Sequence, residues 1–219
     1  MKITFKILFL TILIFNFCFF LAADTLTVGQ EKDFADIQSA VDSAAEGDEV
    51  IVFPGTYQEN IVMPGINFTL RSSDLTSFTK IMNTVIHGGA QGPVVTFDGA
   101  EASSCVLTGF HITGGKAFQG GGIFGNGTSA TIRGNVIRGN VVEDSGGGVY
   151  GCDGVVENNI IASNESEGYL AGEFVVFGSG GGISECYGTV RNNTIFLNDA
   201  YIGGAINNCT GTIINCIVW

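Results

Sequence analysis

The chain has 219 residues, 45 % of them hydrophobic, with 33 glycines, three prolines and a formal net charge of −12. So many apolar residues exclude a disordered chain, and glycine without abundant proline or a three-residue period excludes collagen. The excess of carboxylates excludes nucleic acid as a partner, because that partner is held by cationic side chains that displace its counterions.

The first element reads as a leader. Lys2 and Lys6 precede an apolar run from Ile7 to Leu21, which closes in Leu21-Ala22-Ala23 before Asp24. Basic, apolar, then small is the order of a secretory signal peptide. The run is shorter than the roughly 18–20 residues a membrane-spanning helix needs. Cleavage after Ala23 is expected, with residues 1–23 as signal peptide and a secreted, extracellular or cell-surface product. The membrane is then met only during export. Losing the two leader lysines takes the net charge from −12 to −14.

Residues 24–49 are expected to form a capping segment. Phe34, Ile37, Val41 and Ala44 fall on one face of a helix, with Asp33 placed to cap its start and Gly47 to stop it. Val50–Phe53 reads as a buried strand and Pro54-Gly55 as a turn. A helix here would cover the open end of a stack of strands, which otherwise exposes unpaired edges.

The remainder, 50–219, is periodic. Thr131–Asn140 (TIRGNVIRGN), Val155–Asn164 (VVENNIIASN), Thr189–Asn198 (TVRNNTIFLN) and Thr212–Trp219 (TIINCIVW) align without gaps, starting 24, 34 and 23 residues apart. A weaker copy is Val106–Gly115. Between them recurs a glycine block: Gly120–Phe124 (GGGIF), Gly146–Tyr150 (GGGVY), Gly180–Ser184 (GGGIS) and Gly203–Ile206 (GGAI). The long spacing contains an insertion at about 166–178. A period of this size with β-branched residues, no helical stripe and no leucine consensus predicts one β-solenoid coil per repeat. Coils lie about 4.8 Å apart, so like residues stack on like. Ile132, Val156, Val190 and Ile213 are expected to form one buried ladder, and Ile137, Ile161, Ile195 and Val218 another. Asn140, Asn164 and Asn198 should form a polar ladder at a turn, where asparagine tolerates left-handed backbone angles and its amide bonds the next coil. The glycine blocks mark bends that a Cβ would obstruct.

The stretch Thr27–Ile61 (TVGQEKDFADIQSAVDSAAEGDEVIVFPGTYQENI) resembles the N-terminal signature of pectin-lyase-like right-handed parallel β-helix proteins, and the repeats resemble that family's coils. The resemblance runs from Thr25 to Trp219. It implies an all-β, right-handed parallel β-helix with a short N-terminal capping helix. Activity does not follow, since the fold carries lyases, hydrolases, esterases, epimerases and proteins of no known chemistry. No complete catalytic motif of the polygalacturonase, pectin methylesterase or pectate lyase type is present. His87-Gly88 lacks aspartate partners in a matching repeat, and Gln38 with Gly55–Glu59 share only the flavour of an esterase signature. Arg138, in a repeat near acidic loops, is the one candidate base, against a solvated strand-end arginine. If the chain is an enzyme, it is a polysaccharide lyase or a glycoside hydrolase.

Arg133, Glu157 and Arg191 share one repeat position and read as a surface charge ladder. Cys152, Cys186 and Cys209 share another. Secretion permits disulfides, but inward thiols are expected to stay reduced, with Cys105 and Cys216 as core fillers. There is no CxxC pair, and His87 and His111 are scattered, so no zinc site is expected. Asn-x-Ser/Thr triplets occur at Asn67, Asn126, Asn164, Asn192 and Asn208.

The segments after the asparagine ladder should emerge on one side of the solenoid. They carry Glu143, Asp144, Glu165, Glu167, Glu173 and Asp199, and the rings of Tyr169, Phe174, Phe177 and Tyr201. Rings stack on sugar faces, and carboxylates bind hydroxyls or Ca²⁺. The expected substrate surface is Tyr169, Phe174, Phe177 and Tyr201, with Glu143, Asp144, Glu165 and Glu167 as ligands for Ca²⁺. The expected function is binding or processing of a polysaccharide or cell-surface glycan. The alternative is a non-enzymatic cell-surface or adhesion module, or a fragment of one. The last repeat stops before its asparagine turn and glycine block, so an incomplete C-terminal end is expected to self-associate or be covered by a capping partner.

Overall fold

The computed structural model describes residues 23–219; the expected signal peptide, 1–23, lies outside them except for Ala23. Short strands assemble into four parallel sheets of eight, seven, six and four strands, with one antiparallel hairpin. One coil shows the pattern. Thr131–Arg133 lies in the first sheet, Val136–Arg138 in the second, Val141–Ser145 in the third and Val149–Cys152 in the fourth. Val155–Glu157 then returns to the first sheet, pairing Thr131 with Val155, Ile132 with Val156 and Arg133 with Glu157. The chain is a parallel β-helix.

The aliphatic ladders drive the stacking. In the first sheet Leu70, Leu107, Ile132, Val156 and Val190 lie in register and point inward, fully buried. Ile112, Ile137, Ile161 and Ile195 do the same in the second. Val95, Ile123, Val149 and Ile183 form a third ladder in the fourth sheet. Each such side chain contributes roughly 1.5–3 kcal/mol relative to exposure. Ile213 and Val218 continue two of the ladders on the last described coil, 45 % and 48 % exposed.

The corners hold two asparagine ladders rather than one. Asn140, Asn164 and Asn198 stack where the second sheet turns into the third. Asn135, Asn159 and Asn193 stack where the first turns into the second. The left-handed residue is not the ladder asparagine but the one before it: Gly134, Asn158 and Asn192 at one corner, Gly139, Ser163 and Leu197 at the other. The ladder position selects asparagine for its amide, which saturates backbone groups buried at the bend. Cys216 occupies the ladder position of the last coil, 4.0 Å from the Asn193 amide.

The glycine block makes the corner between the third and fourth sheets. The first glycine has positive φ, +63° at Gly120 and +70° at Gly146. A Cβ on Gly120 would sit 2.7 Å from Phe124 Cα, and one on Gly121 2.8 Å from the carbonyl of Gly147 in the next coil.

The capping helix α1 is Ile37–Ser43, shorter than expected, and Asp36 rather than Asp33 caps it by accepting from the Ser39 N–H at 2.8 Å. Asp33 instead accepts from the N–H and hydroxyl of Thr27. Ile37, Ala40 and Val41 are buried, while Phe34 and Ala44 pack at the margin of the core. The helix stops at Ser43, before Gly47. The signature motif has a structural account. Glu59 accepts from the N–H groups of Ile37 and Gln38, at 2.9 and 2.8 Å. The Gln38 side chain accepts from Val62 N–H and donates to Val62 carbonyl, standing in for a neighbouring strand. A second helix, α2 (Phe78–Asn83), was not visible as a periodic stripe; Ser77 caps it. No helix among the described residues is long and apolar enough to cross a membrane.

The charge ladder is in register, but the ion pair formed is Arg191 with Glu157, at 2.7 Å. The five described cysteines are free. Cys186 Sγ accepts from Cys152 N–H at 3.3 Å and Cys209 Sγ from Cys186 N–H at 3.4 Å, a sulfur version of the amide ladder.

Candidate functional site

The insertion forms the antiparallel hairpin. Tyr169–Ala171 pairs with Phe174–Val176 across a two-residue turn, Gly172-Glu173, with Gly172 at φ +65°. A turn this tight needs a residue free of Cβ strain at that position. Ser179 bridges to Ser145 and Ile202, so the coil register resumes after the insertion.

The expected aromatic surface divides in two. Tyr169 packs edge-on against Phe118, ring centroids 5.1 Å apart, reaching back over the coil of Val141–Ser145. Phe177 stacks on Tyr201 at 4.0 Å and 16°. Phe174 stands at the hairpin tip, 77 % exposed. These side chains do share one side of the solenoid, but not one patch.

Beside them, residues of the third and fourth sheets border a shallow groove. Phe124 and Tyr150, on successive coils of the fourth sheet, stack at 5.6 Å and 13°. Pro93, Thr96, Ala117, Phe118, Gln119 and Phe124 line a shallow hollow of about 350 Å³ at one end. The Gln119 amide donates to Asp144 at 2.6 Å. Burial, then the charges of Glu185 and Asp144, push the Tyr150 phenol above its ordinary range, against a hydrogen bond with Gln119. Tyr187 donates to Glu185, which holds that phenol up to about 12. Rings thus follow one another along the fourth sheet, with the Gln119 amide, Asp144 and Glu185 close to Tyr150. Phe118, Gln119, Phe124, Tyr150, Glu185 and Tyr187 were missed from sequence. The signal was there: GGGIF and GGGVY put an aromatic at one repeat position.

The expected calcium ligands do not gather into a group that could hold a metal ion. Asp144 is taken up by Gln119 and Ser145. Glu143, Glu165 and Glu167 are exposed, the first on one coil and the other two on the next. Among the described residues no three His, Cys, Asp or Glu side chains form a group that could hold a metal ion. Arg138 faces away from the groove, on the second sheet, and lines a different pocket. His87 packs its ring against Gly114, and its Nδ1 accepts from Gly89 N–H. Asn164 is fully buried, so its glycosylation triplet is closed in the folded chain.

No family model matches the chain, and no solved structure matches it. A stretch of 120 residues, 53 % of the chain, is 33 % identical to a protein named cell surface glycoprotein from Methanothermus fervidus. The match takes in 18 % of that protein's length. The chain is therefore similar to one portion of a much longer surface protein.

Proposed function

We propose that this chain is a cell-surface β-helix module that holds an extended, neutral carbohydrate chain along the groove between the third and fourth sheets. The observation that carries the reading is the run of outward rings, Phe118, Phe124 and Tyr150, flanked by Gln119, Asp144 and Glu185. One coil step is about 4.8 Å, close to the length of one pyranose in an extended polymer. Apolar ring faces cover sugar C–H faces, and the polar groups between them bond hydroxyls. The acidic balance disfavours uronic-acid polymers. The leader and the similarity to a surface glycoprotein support the location. Binding asks only for the groups present, whereas turnover would need a matched catalytic set.

The test is retention of the leaderless protein on neutral and uronic polymers by affinity electrophoresis, alongside Phe118→Ala and Tyr150→Ala. Loss of one stacking ring is expected to weaken binding of a neutral polymer by roughly three- to tenfold. No retention on any polymer, or equal retention of both variants, would overturn the proposal. A second reading, a protein partner at the hairpin, is favoured by the exposed Leu170, Phe174 and Val175 at its tip. Replacing those three by serine separates the two, because the groove rings remain.

A further inference from the structure

The second sheet has an outer face that the groove does not use. Val136 and Ile160 follow one another in one outward row, and Arg138, Ala162 and Phe196 in the next. Helix α2 packs beside this sheet, against Thr84–His87 and His111–Thr113. Between helix and sheet lies a pocket of about 420 Å³, within the size range of small-molecule sites, about 300–1,000 Å³. Phe78 and Met82 of α2 form one wall. Val136 and Ala162, each 5 % exposed, form the floor, and Phe196, stacked on Trp219, stands at the far end.

Arg138 is the charged residue of this lining. Arg71, Lys80 and Arg191 are engaged by Glu49, Asp74 and Glu157. Among the described residues Lys32, Lys116, Arg133 and Arg138 are in no ion pair, on a chain whose carboxylates outnumber its cations 21 to 9, and of these four Arg138 is the one that lines the pocket. A guanidinium offers a planar fork of donors that matches an oxyanion head group in a bidentate way. Apolar walls of this size cover a hydrocarbon or aromatic body.

We infer that this pocket binds a small amphipathic anion, its apolar body against Phe78, Met82, Val136 and Ala162 and its single oxyanion head on Arg138. The site is independent of the glycan groove and lies on another face of the solenoid.

The test uses anilinonaphthalene sulfonate as a fluorescent probe, displaced by decanoate or by decanol. Saturable binding of one probe per chain is expected, with decanoate competing roughly tenfold or more better than decanol, the difference a charge-assisted hydrogen bond supplies. Arg138→Gln, at an exposed strand position, should erase that difference while leaving the fold unchanged by circular dichroism. Ala162→Phe should fill the pocket and abolish binding. Glycan retention should be unchanged in both variants, which separates this inference from the groove reading. The inference is overturned by absence of probe binding, by equal competition from decanol in the unaltered protein, or by binding that survives Arg138→Gln with its decanoate preference intact. Binding lost only when Leu170, Phe174 and Val175 are replaced by serine would place the probe on the hairpin and overturn it as well.

Discussion

One oxygen of Asn193 accepts both the backbone N–H of Asn159, at 2.9 Å, and its side-chain amide, at 3.1 Å, from a coil 34 residues earlier. Asn159 does the same for Asn135, and its own amide reaches the Ile132 carbonyl at 3.0 Å. All three asparagines are about 1 % exposed. Each rung therefore saturates donors and an acceptor that the bend would otherwise bury without partners.

Asn159→Ala is expected to destabilise the coil stack by at least about 3 kcal/mol, since several buried groups are orphaned at about 1–3 kcal/mol each. Asn158→Gly, at φ +56°, should be neutral or better, because glycine suits a left-handed position. Urea denaturation compares them. An Asn159→Ala midpoint close to that of the unaltered protein would contradict the role given to the ladder.

The cap at the N-terminal end depends on Glu59. Its carboxylate binds two N–H groups at the start of α1, where an anion also meets the positive end of the helix. Glu59→Ala should cost about 2 kcal/mol, and Glu59→Gln less. Hydrogen exchange should show lost protection at Ile37 and Gln38 in Glu59→Ala. Gln38→Ala should instead expose the amide of Val62, which has no other strand on that side.

His111 sets a pH dependence near neutrality. Burial, chiefly, holds its imidazole below the ordinary 6.5, helped by Arg138 and His87 and opposed by a hydrogen bond at Met82. The unfolded chain then binds the proton more readily than the folded one. Its contribution to stability is full above about pH 6.5 and is lost as pH falls toward the depressed folded value. The melting temperature should fall between pH 7 and pH 5, and His111→Leu should flatten that fall. Carboxylates held low, such as Asp74 at about 2, act only below their ordinary 3.8. A slope unchanged in His111→Leu would assign the effect elsewhere.

The thiol ladder should be inert. Burial raises Cys105 to about 11, and Cys186 lies well above the ordinary thiol value, chiefly through its contact with Cys152. Little thiolate is then present at pH 7 to react. Iodoacetamide should leave Cys105, Cys152 and Cys186 unmodified in the native protein and label all five described cysteines in denaturant, as read by mass spectrometry. Rapid labelling of native Cys186, or a disulfide between Cys152 and Cys186, would contradict the ladder.

Much of the site was illegible in the sequence, for reasons that particular residues show. Tyr169, Phe177 and Tyr201 were recognised as outward rings because they follow the same repeat landmark. The partner of Tyr169 was not, since Phe118 precedes it by two coils and meets it only because the hairpin leans back. The four acidic residues share a side, yet no three of them form a group that could hold a metal ion, and Asp144 already has a partner in Gln119. Arg138 sits in a repeat whose neighbouring segments are acidic, but its strand belongs to the second sheet and it lines a different pocket.

The sequence by itself determined the coil, its register and its core. A repeat of about 24 residues forces like onto like, and a three-residue strand with an aliphatic centre leaves one inward choice. Glycine and asparagine mark the corners because few residues tolerate left-handed angles or can saturate a buried bend. Only the tertiary structure decided which aspartate caps α1, where α2 packs, and which outward side chains meet. Periodicity states the side of the coil a residue faces. The groove and the pocket depend on the angle between sheets at the glycine corner and on elements packed from other coils, and those contacts exist only once the stack has formed.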